Sequence, residues 1–174
     1  MTIGFDIGTD DLLAYNRNHF VKDPGISKRM RVWRIVFPLL FVALTLPGSA
    51  RRGIGPGEIA MWSVAVLWAL FFPWLMVRLA QRSARKMYGK PENARWLGYR
   101  EMTFSDKGVE TVQGEDRSLY AWDSLVKWDE TGEYFFIYLS GMTGFIISKR
   151  ALAPGQEDSL RGMFETGITL KTKK

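Results

Sequence analysis

Two uncharged stretches decide the fold of this 174-residue chain. The longer, Ile59–Val77, reads IAMWSVAVLWALFFPWLMV, and the other, Ile35–Ala50, reads IVFPLLFVALTLPGSA. A helix that crosses a lipid bilayer needs about 20 mostly apolar residues, with a range of roughly 17 to 25. The longer stretch satisfies this by itself. The shorter one reaches it when residues 32–34 join the helix and the Arg34 guanidinium extends toward the lipid headgroups.

We therefore predict transmembrane helices at residues 32–50 and 59–77. Two alternatives fit these stretches less well. Buried helices of a soluble domain would need a polar stripe at helical spacing, which neither stretch has. A cleaved signal peptide would fit the small residues Gly48–Ala50, but the segment before it is long and contains four aspartates, unlike the short basic start of a signal peptide.

The segment 51–58 between the two stretches contains three glycines and a proline, which is typical of a tight turn. It predicts an antiparallel hairpin with a short extracytoplasmic loop. Basic residues favour the cytoplasmic side of a membrane. Nine lie just outside the hairpin, against Arg51 and Arg52 in the loop, and they are Lys28, Arg29, Arg31, Arg34, Arg78, Arg82, Arg85, Lys86 and Lys90. Both termini are therefore predicted to be cytoplasmic.

The segments that flank the hairpin have patterns of their own. In residues 1–31, Ile3, Phe5 and Ile7 alternate as in a strand, and a helix-start signal follows at Thr9–Asp11. We expect the strand to join the sheet of the C-terminal domain. After the second apolar stretch, residues 78–96 are predicted to form a basic juxtamembrane helix and a linker.

From residue 97 to 174 the pattern changes to short strands separated by turns, followed by an amphipathic helix after Pro154. The predicted strands are Glu101–Phe104, Val109–Val112, Ser118–Trp122, Val126–Asp129, Glu133–Ser140 and Phe145–Ser148, with a turn at Gly141–Gly144. Six aromatic residues are expected to fill the interior of this domain: Tyr120, Trp122, Trp128, Tyr134, Phe136 and Tyr138. The fold class is therefore membrane α+β, with a small antiparallel β domain on a two-helix transmembrane hairpin.

Composition excludes several functions. The chain has no cysteine and one histidine, His19, so neither a disulfide nor a metal site with cysteine or several histidine ligands can form. The net charge of +6 arises mostly within residues 78–100, directly after an apolar stretch, which indicates topology rather than nucleic-acid binding.

Five motifs resemble the YcxB-like family of bacterial membrane proteins. They are DDLLAYNRNHF (Asp10–Phe20), LGYREMTFSDKGV (Leu97–Val109), YAWDSL (Tyr120–Leu125), EYFFIYL (Glu133–Leu139) and FIISKRAL (Phe145–Leu152). The resemblance implies two membrane helices, a pleckstrin-homology-like cytoplasmic domain and no assigned reaction. It also implies structural roles for Tyr15 and Phe20 in the first helix, for Trp122 in a strand, and for Lys149 and Arg150 after the last strand.

We predict no catalytic residue, no cofactor and no metal. The acids Asp129, Glu130, Glu133, Glu157 and Asp158 lie at predicted turns or a helix start, where solvated carboxylates are common. The expected function is that of a membrane-anchored interaction or regulatory module of the bacterial inner membrane, with a membrane or cytoplasmic protein as partner. The alternatives are a subunit of an oligomeric transporter or channel, or a domain that binds anionic lipid headgroups. The sequence is also compatible with a homo-oligomer. The predicted headgroup contacts are Arg78, Arg82, Arg85, Lys86, Lys149 and Arg150.

Overall fold

The computed structural model of the chain describes residues 1–139 and 143–169. Its α-helices are α1 (Thr9–Lys22), α2 (Pro24–Arg52), α3 (Pro56–Tyr88) and α4 (Gln156–Thr169). Its strands are β1 (Thr2–Ile7), β2 (Gly98–Ser105), β3 (Gly108–Gln113), β4 (Asp116–Tyr120), β5 (Lys127–Glu130), β6 (Tyr134–Tyr138) and β7 (Gly144–Ser148). The elements divide into two compact units, one formed by residues 1–15 with the chain from Arg85 onward, the other by Asn16–Ala84.

The first unit is a β domain made of two antiparallel sheets. One sheet has the order β1-β2-β3-β4, and the other has the order β5-β6-β7. The predicted pairing of the N-terminal strand with the C-terminal sheet is confirmed, because Ile3 lies opposite Met102 and Ile7 opposite Gly98. The side chains Ile3, Phe5 and Ile7 are buried in the domain core. The helices α1–α3 are therefore an insertion between two neighbouring strands of one sheet.

Strand β6 is covered on both faces. Its residues Phe135, Phe136, Ile137 and Tyr138 are all at most 1% exposed. On one face, Phe135 meets Phe164 of α4 with ring centroids 5.7 Å apart. On the other, the Tyr15 ring of α1 lies 5.9 Å from Phe136 and 5.4 Å from Tyr138. The strand therefore reads as a continuous apolar run, as buried strands do.

The predicted interior was only partly right. Phe136 and Tyr138 are buried, whereas Tyr120, Trp122, Trp128 and Tyr134 are partly buried at the margin of the core. The centre is filled instead by smaller rings and aliphatic side chains, including Phe104, Phe135, Phe164, Met102, Leu125 and Leu160. Indole and phenol groups keep a polar atom that needs a partner, which favours the margin over the centre.

Trp122 was predicted to end a strand, and this is wrong. The strand stops at Tyr120, and Trp122 begins a short 3₁₀ helix, Trp122–Ser124. The reason is a local turn in which both the backbone N–H and the hydroxyl of Ser124 donate to the Ala121 carbonyl, at 2.9 and 2.7 Å. The Trp122 indole N–H then donates to the Ser105 carbonyl at 2.9 Å. The predicted turn at residues 141–144 and the end of the predicted strand at Ser140 lie partly outside the described residues.

The second unit is dominated by α2 and α3, which are longer than the apolar stretches they contain. Asp23 caps α2 by accepting a hydrogen bond from the Ile26 N–H at 2.8 Å, and Pro24 occupies the first helical turn. Only residues 53–55 separate α2 from α3, so the turn is shorter than the predicted 51–58. Gly53 ends α2 at a φ of 81°, a conformation that favours glycine.

Candidate functional site

A buried carboxylate joins α1 to the second sheet of the β domain. The Asp11 side chain is 3% exposed and accepts hydrogen bonds from the Tyr134 hydroxyl at 3.0 Å and from the Arg150 guanidinium at 2.7 Å. It also accepts the N–H of Gly8, the residue before the helix, at 2.8 Å. A carboxylate at the third helical position commonly satisfies this N–H. Asp11 therefore serves both as a helix cap and as a link across the domain.

Tyr134 is held as a neutral donor by this arrangement. Its burial, together with its hydrogen bond to Asp11, raises the pKa of the Tyr134 phenol to about 12. A phenol that stays protonated at physiological pH can donate to a carboxylate throughout that range. We assign Tyr134 a positioning role for α1, since its hydroxyl is committed to Asp11.

A network of ion pairs ties α4 to the sheet. Glu130 of β5 accepts from Lys149 at 2.6 Å and from two nitrogens of Arg161 at 2.8 and 3.0 Å. Lys149 also pairs with Glu157 at 3.1 Å, and Arg161 with Asp158. The hydrogen bonds from Arg161, and then the one from Lys149, lower the pKa of Glu130 to about 2. Three of the five acids at predicted turns or the helix start, Glu130, Glu157 and Asp158, are thus held by cations within one network.

Asp129 and Glu133, the other two acids, flank the β5–β6 turn. The Asp129 carboxylate accepts the backbone N–H of Glu130 at 3.0 Å. Glu133 receives the Lys149 N–H on its backbone carbonyl at 2.9 Å. Neither observation brings these carboxylates together with the other acids. In the part of the chain that the structure describes, no group of histidine and acidic side chains could hold a metal ion.

The predicted headgroup contacts differ in how accessible they are. The Lys149 side chain is only 13% exposed, because it lies against Glu130, Glu157 and the Phe135 ring. Arg85 and Arg150 are 69% and 65% exposed, and they pair with the consecutive aspartates Asp10 and Asp11. The structure therefore brings these two arginines to the same end of α1.

Lys86 is an exposed residue of the first unit, whereas Arg78 and Arg82 belong to the second. The Arg78 guanidinium lies over the Trp74 ring, 5.0 Å from its centroid. Cations and indoles of this kind are frequent where a helix meets the headgroup region.

Sequence reasoning missed Asp11, Tyr134 and Arg161 as connecting residues. Asp11 is part of a helix-start signal, but this local pattern does not show that its carboxylate binds Tyr134 and Arg150, which lie 123 and 139 residues away along the chain. Arg161 lies on the predicted amphipathic helix, and its charge gave no indication of a partner on β5.

Strand β4 is a free edge of the four-stranded sheet within the described residues. It pairs with β3 and with no other described strand. Its residues Asp116, Arg117, Ser118 and Leu119 are exposed, Leu119 by 58%. Arg117 is paired with Glu110 on the neighbouring strand, one nitrogen lying 3.1 Å from Oε2. An edge strand of this kind leaves backbone groups available for pairing with another chain.

Helices α2 and α3 are each long and apolar enough to cross a membrane. Their most apolar windows have mean hydropathies of 1.6 and 1.9, and only 6% and 11% of those windows is buried. The two helices contact each other at two levels: the Trp62 indole donates to the Thr45 hydroxyl at 2.9 Å, and the centroids of the Phe37 and Trp68 rings lie 4.3 Å apart. Core helices of a soluble protein would be mostly buried, so this exposure disfavours that alternative.

An apolar groove of about 370 Å³ lies between the two helices. Its lining has no polar surface and consists of Pro38, Val42, Leu46, Trp62, Ala65, Val66 and Ala69. Side chains exposed elsewhere on the helices are also apolar, such as Leu44 at 70% and Leu39 at 61%.

These features define the chain as an α+β protein in which two long apolar helices interrupt a small β domain closed by a C-terminal helix. Residues 104–164 match the YcxB-like protein family. The match confirms the family resemblance that the sequence motifs indicated, over a region that runs from β2 to α4. The comparisons with curated proteins and with solved structures gave no match.

Proposed function

We propose that the chain is a membrane-anchored interaction module of the bacterial inner membrane, with both termini and the β domain in the cytoplasm. The observation that carries this proposal is the pairing of Ile7 with Gly98 across β1 and β2. The chain leaves the sheet after Ile7 and returns at Gly98, so the inserted segment must cross a bilayer an even number of times. Two apolar helices meet this condition, and a single spanning helix does not.

The orientation of the proposed hairpin follows from its charges. The segments next to the apolar stretches contain nine of the eleven nearby basic residues, and the other two, Arg51 and Arg52, lie at the end of α2 beside the turn. Basic segments remain on the cytoplasmic side. A pleckstrin-homology-like classification of the domain agrees with its four-stranded and three-stranded sheets and its closing helix, and we include it in the proposal.

We propose that the β domain binds a protein rather than catalysing a reaction. The β4 strand is an edge of the four-stranded sheet, and Leu119 provides an exposed apolar side chain there. Extended segments bind such edges through main-chain hydrogen bonds, and side chains like Leu119 add specificity. Glu130 and Glu157 form ion pairs that hold α4, and Asp158 pairs with Arg161 within that helix, which favours a structural role for these acids over a catalytic one.

The test is photo-crosslinking in cells with a photoreactive amino acid at position 119, compared with the same amino acid at exposed Glu165 on α4. The proposal predicts one discrete adduct from position 119 that is absent from position 165. Equal adducts from both positions, or none from position 119, would argue against the β4 edge as the binding surface.

Contact with anionic lipid headgroups is the second candidate function. It is favoured by the exposure of Arg85 and Arg150 and their meeting at one end of α1. Full-length protein in nanodiscs is the appropriate material, because a fragment that begins at residue 97 would lack β1 and α1. Under this alternative, anionic lipid slows hydrogen exchange at the start of α1 in a salt-sensitive way, and Arg85→Gln abolishes the effect.

A further inference from the structure

Helix α3 contains a proline, and a side chain of α2 compensates for it. Pro73 has no N–H, so the carbonyl four residues earlier, that of Ala69, loses its helical donor. The Arg34 Nε–H donates to this same carbonyl at 2.6 Å. The structure thus fills the one hydrogen-bond position that Pro73 vacates with a donor from the neighbouring helix.

Further contacts between α2 and α3 lie directly beside this hydrogen bond. The Trp68 indole, one residue before Ala69, lies 3.4 Å from the Trp33 carbonyl, one residue before Arg34. The Trp68 ring lies between the rings of Phe37 and Phe72, with centroid separations of 4.3 and 4.8 Å. These contacts join the two helices within one helical turn of Arg34 and of Ala69.

A proline within a helix is a common site of bending, since the local hydrogen-bond ladder is interrupted there. In a bilayer an unsatisfied carbonyl is strongly unfavourable, so a proline is tolerated where a neighbouring group satisfies that carbonyl. We propose that Arg34 is a latch on a hinge at Pro73: while its Nε–H is bound to Ala69 the two halves of α3 are held in one direction, and release of the guanidinium frees them to bend.

The latch goes beyond the proposed interaction function, because it assigns the hairpin a conformational change of its own. It also gives Arg34 a role other than extension to the headgroups. Only the Nε–H of Arg34 donates to the Ala69 carbonyl, so its other two guanidinium nitrogens can still extend toward the headgroups.

The experiment measures the spread of distances across Pro73 by pulsed electron resonance. The chain has no cysteine, so Ser63→Cys and Ser83→Cys, both exposed positions of α3, take spin labels without further changes. Twenty residues of straight helix separate these positions by about 30 Å. The full chain in nanodiscs should give one narrow distribution, and Arg34→Met, which removes the donor, should give a broader and shorter one.

The decisive control is the double variant Arg34→Met/Pro73→Ala. Alanine restores the N–H that satisfies the Ala69 carbonyl, so the latch predicts that the narrow distribution returns and that Pro73→Ala alone is as narrow as the parent. An unchanged distribution in Arg34→Met would overturn the latch. So would a double variant as broad as Arg34→Met, because Arg34 would then act through something other than the proline. If Arg34→Met fails to insert, Arg34→Leu, which also lacks a donor, is compared with its own Pro73→Ala double variant, and the same two results support or overturn the latch.

Discussion

Ile7 and Gly98 are register partners in neighbouring antiparallel strands, although residues 8–97 and three α-helices lie between them. The β domain is therefore completed only when the chain returns from the apolar hairpin. This makes β1 a structural part of a domain whose other strands all lie after the hairpin. Folding of the domain and the course of the hairpin are coupled through this strand pair.

Removing a core side chain from β1 should destabilise the whole β domain. Phe5 is 7% exposed, and Phe5→Ala is expected to cost about 3 kcal/mol or more through lost burial and the cavity left behind. Urea unfolding of the full-length chain in detergent, followed by tryptophan fluorescence, measures this. The matched control is Asp6→Ala at the next, exposed position, where the change should stay within about 0.5 kcal/mol. Equal effects of the two variants would mean that β1 is not part of the core.

Two adjacent aspartates provide a second comparison. Asp11→Asn should lower the free energy of unfolding by about 2–3 kcal/mol, because the buried carboxylate is bound to Gly8, Tyr134 and Arg150 at once. Asp10→Asn should change it by about 0.5 kcal/mol or less, because both members of its pair with Arg85 are exposed. The same urea titration measures both. If Asp10→Asn lowered the free energy of unfolding as much as Asp11→Asn, the role of buried Asp11 as a link across the domain would be contradicted.

Acid should weaken the attachment of α4 through Glu130. Its pKa is about 2 in the folded chain, below the usual value near 4.5, chiefly because of hydrogen bonds from Arg161. A lowered folded-state pKa stabilises the fold above the unfolded pKa, and this contribution is lost as the pH falls toward 2. Glu130→Gln should therefore cost about 1 kcal/mol at neutral pH, with the difference from the parent shrinking between pH 4.5 and 2.

The measurement for this third prediction is urea unfolding at several pH values. Glu115→Gln, at an exposed turn position, serves as the control and should follow the parent at each pH. A difference between parent and Glu130→Gln that stays constant down to pH 2 would show that the lowered pKa of Glu130 does not stabilise the fold.

Two glycines of α4 should respond in opposite directions to alanine. A Cβ at Gly162 meets nothing within 4 Å, so Gly162→Ala should stabilise the domain by up to about 1 kcal/mol through helix propensity. A Cβ at Gly167 would lie 2.6 Å from the Trp122 ring, so Gly167→Ala should destabilise it by about 1–3 kcal/mol. Thermal unfolding of both variants provides the check, and a stabilising Gly167→Ala would show that α4 does not lie close to Trp122.

Much of the fold could be predicted from local patterns. The alternation of Ile3, Phe5 and Ile7 is a property of consecutive residues, and so are the two apolar stretches and the turns between short strands. The contacts of Asp11 could not be predicted in this way, because they depend on which side of α1 meets β6. The Trp122 error has a similar origin, since a hydrogen-bonded turn at Ser124 overrode the strand propensity of the aromatic residue. The bond from Arg34 to Ala69 depends on how two helices align, which spacing along one helix does not specify.

The most direct test of the membrane topology uses single cysteines in this cysteine-free chain. Ile54, in the turn between α2 and α3, and Leu119, on β4, are 60% and 58% exposed. Ile54→Cys and Leu119→Cys are treated with a membrane-impermeant maleimide in intact and in lysed spheroplasts. The proposed topology predicts that Ile54→Cys is labelled in both samples and Leu119→Cys only after lysis. Labelling of Leu119→Cys in intact spheroplasts, or of Ile54→Cys only after lysis, would contradict it.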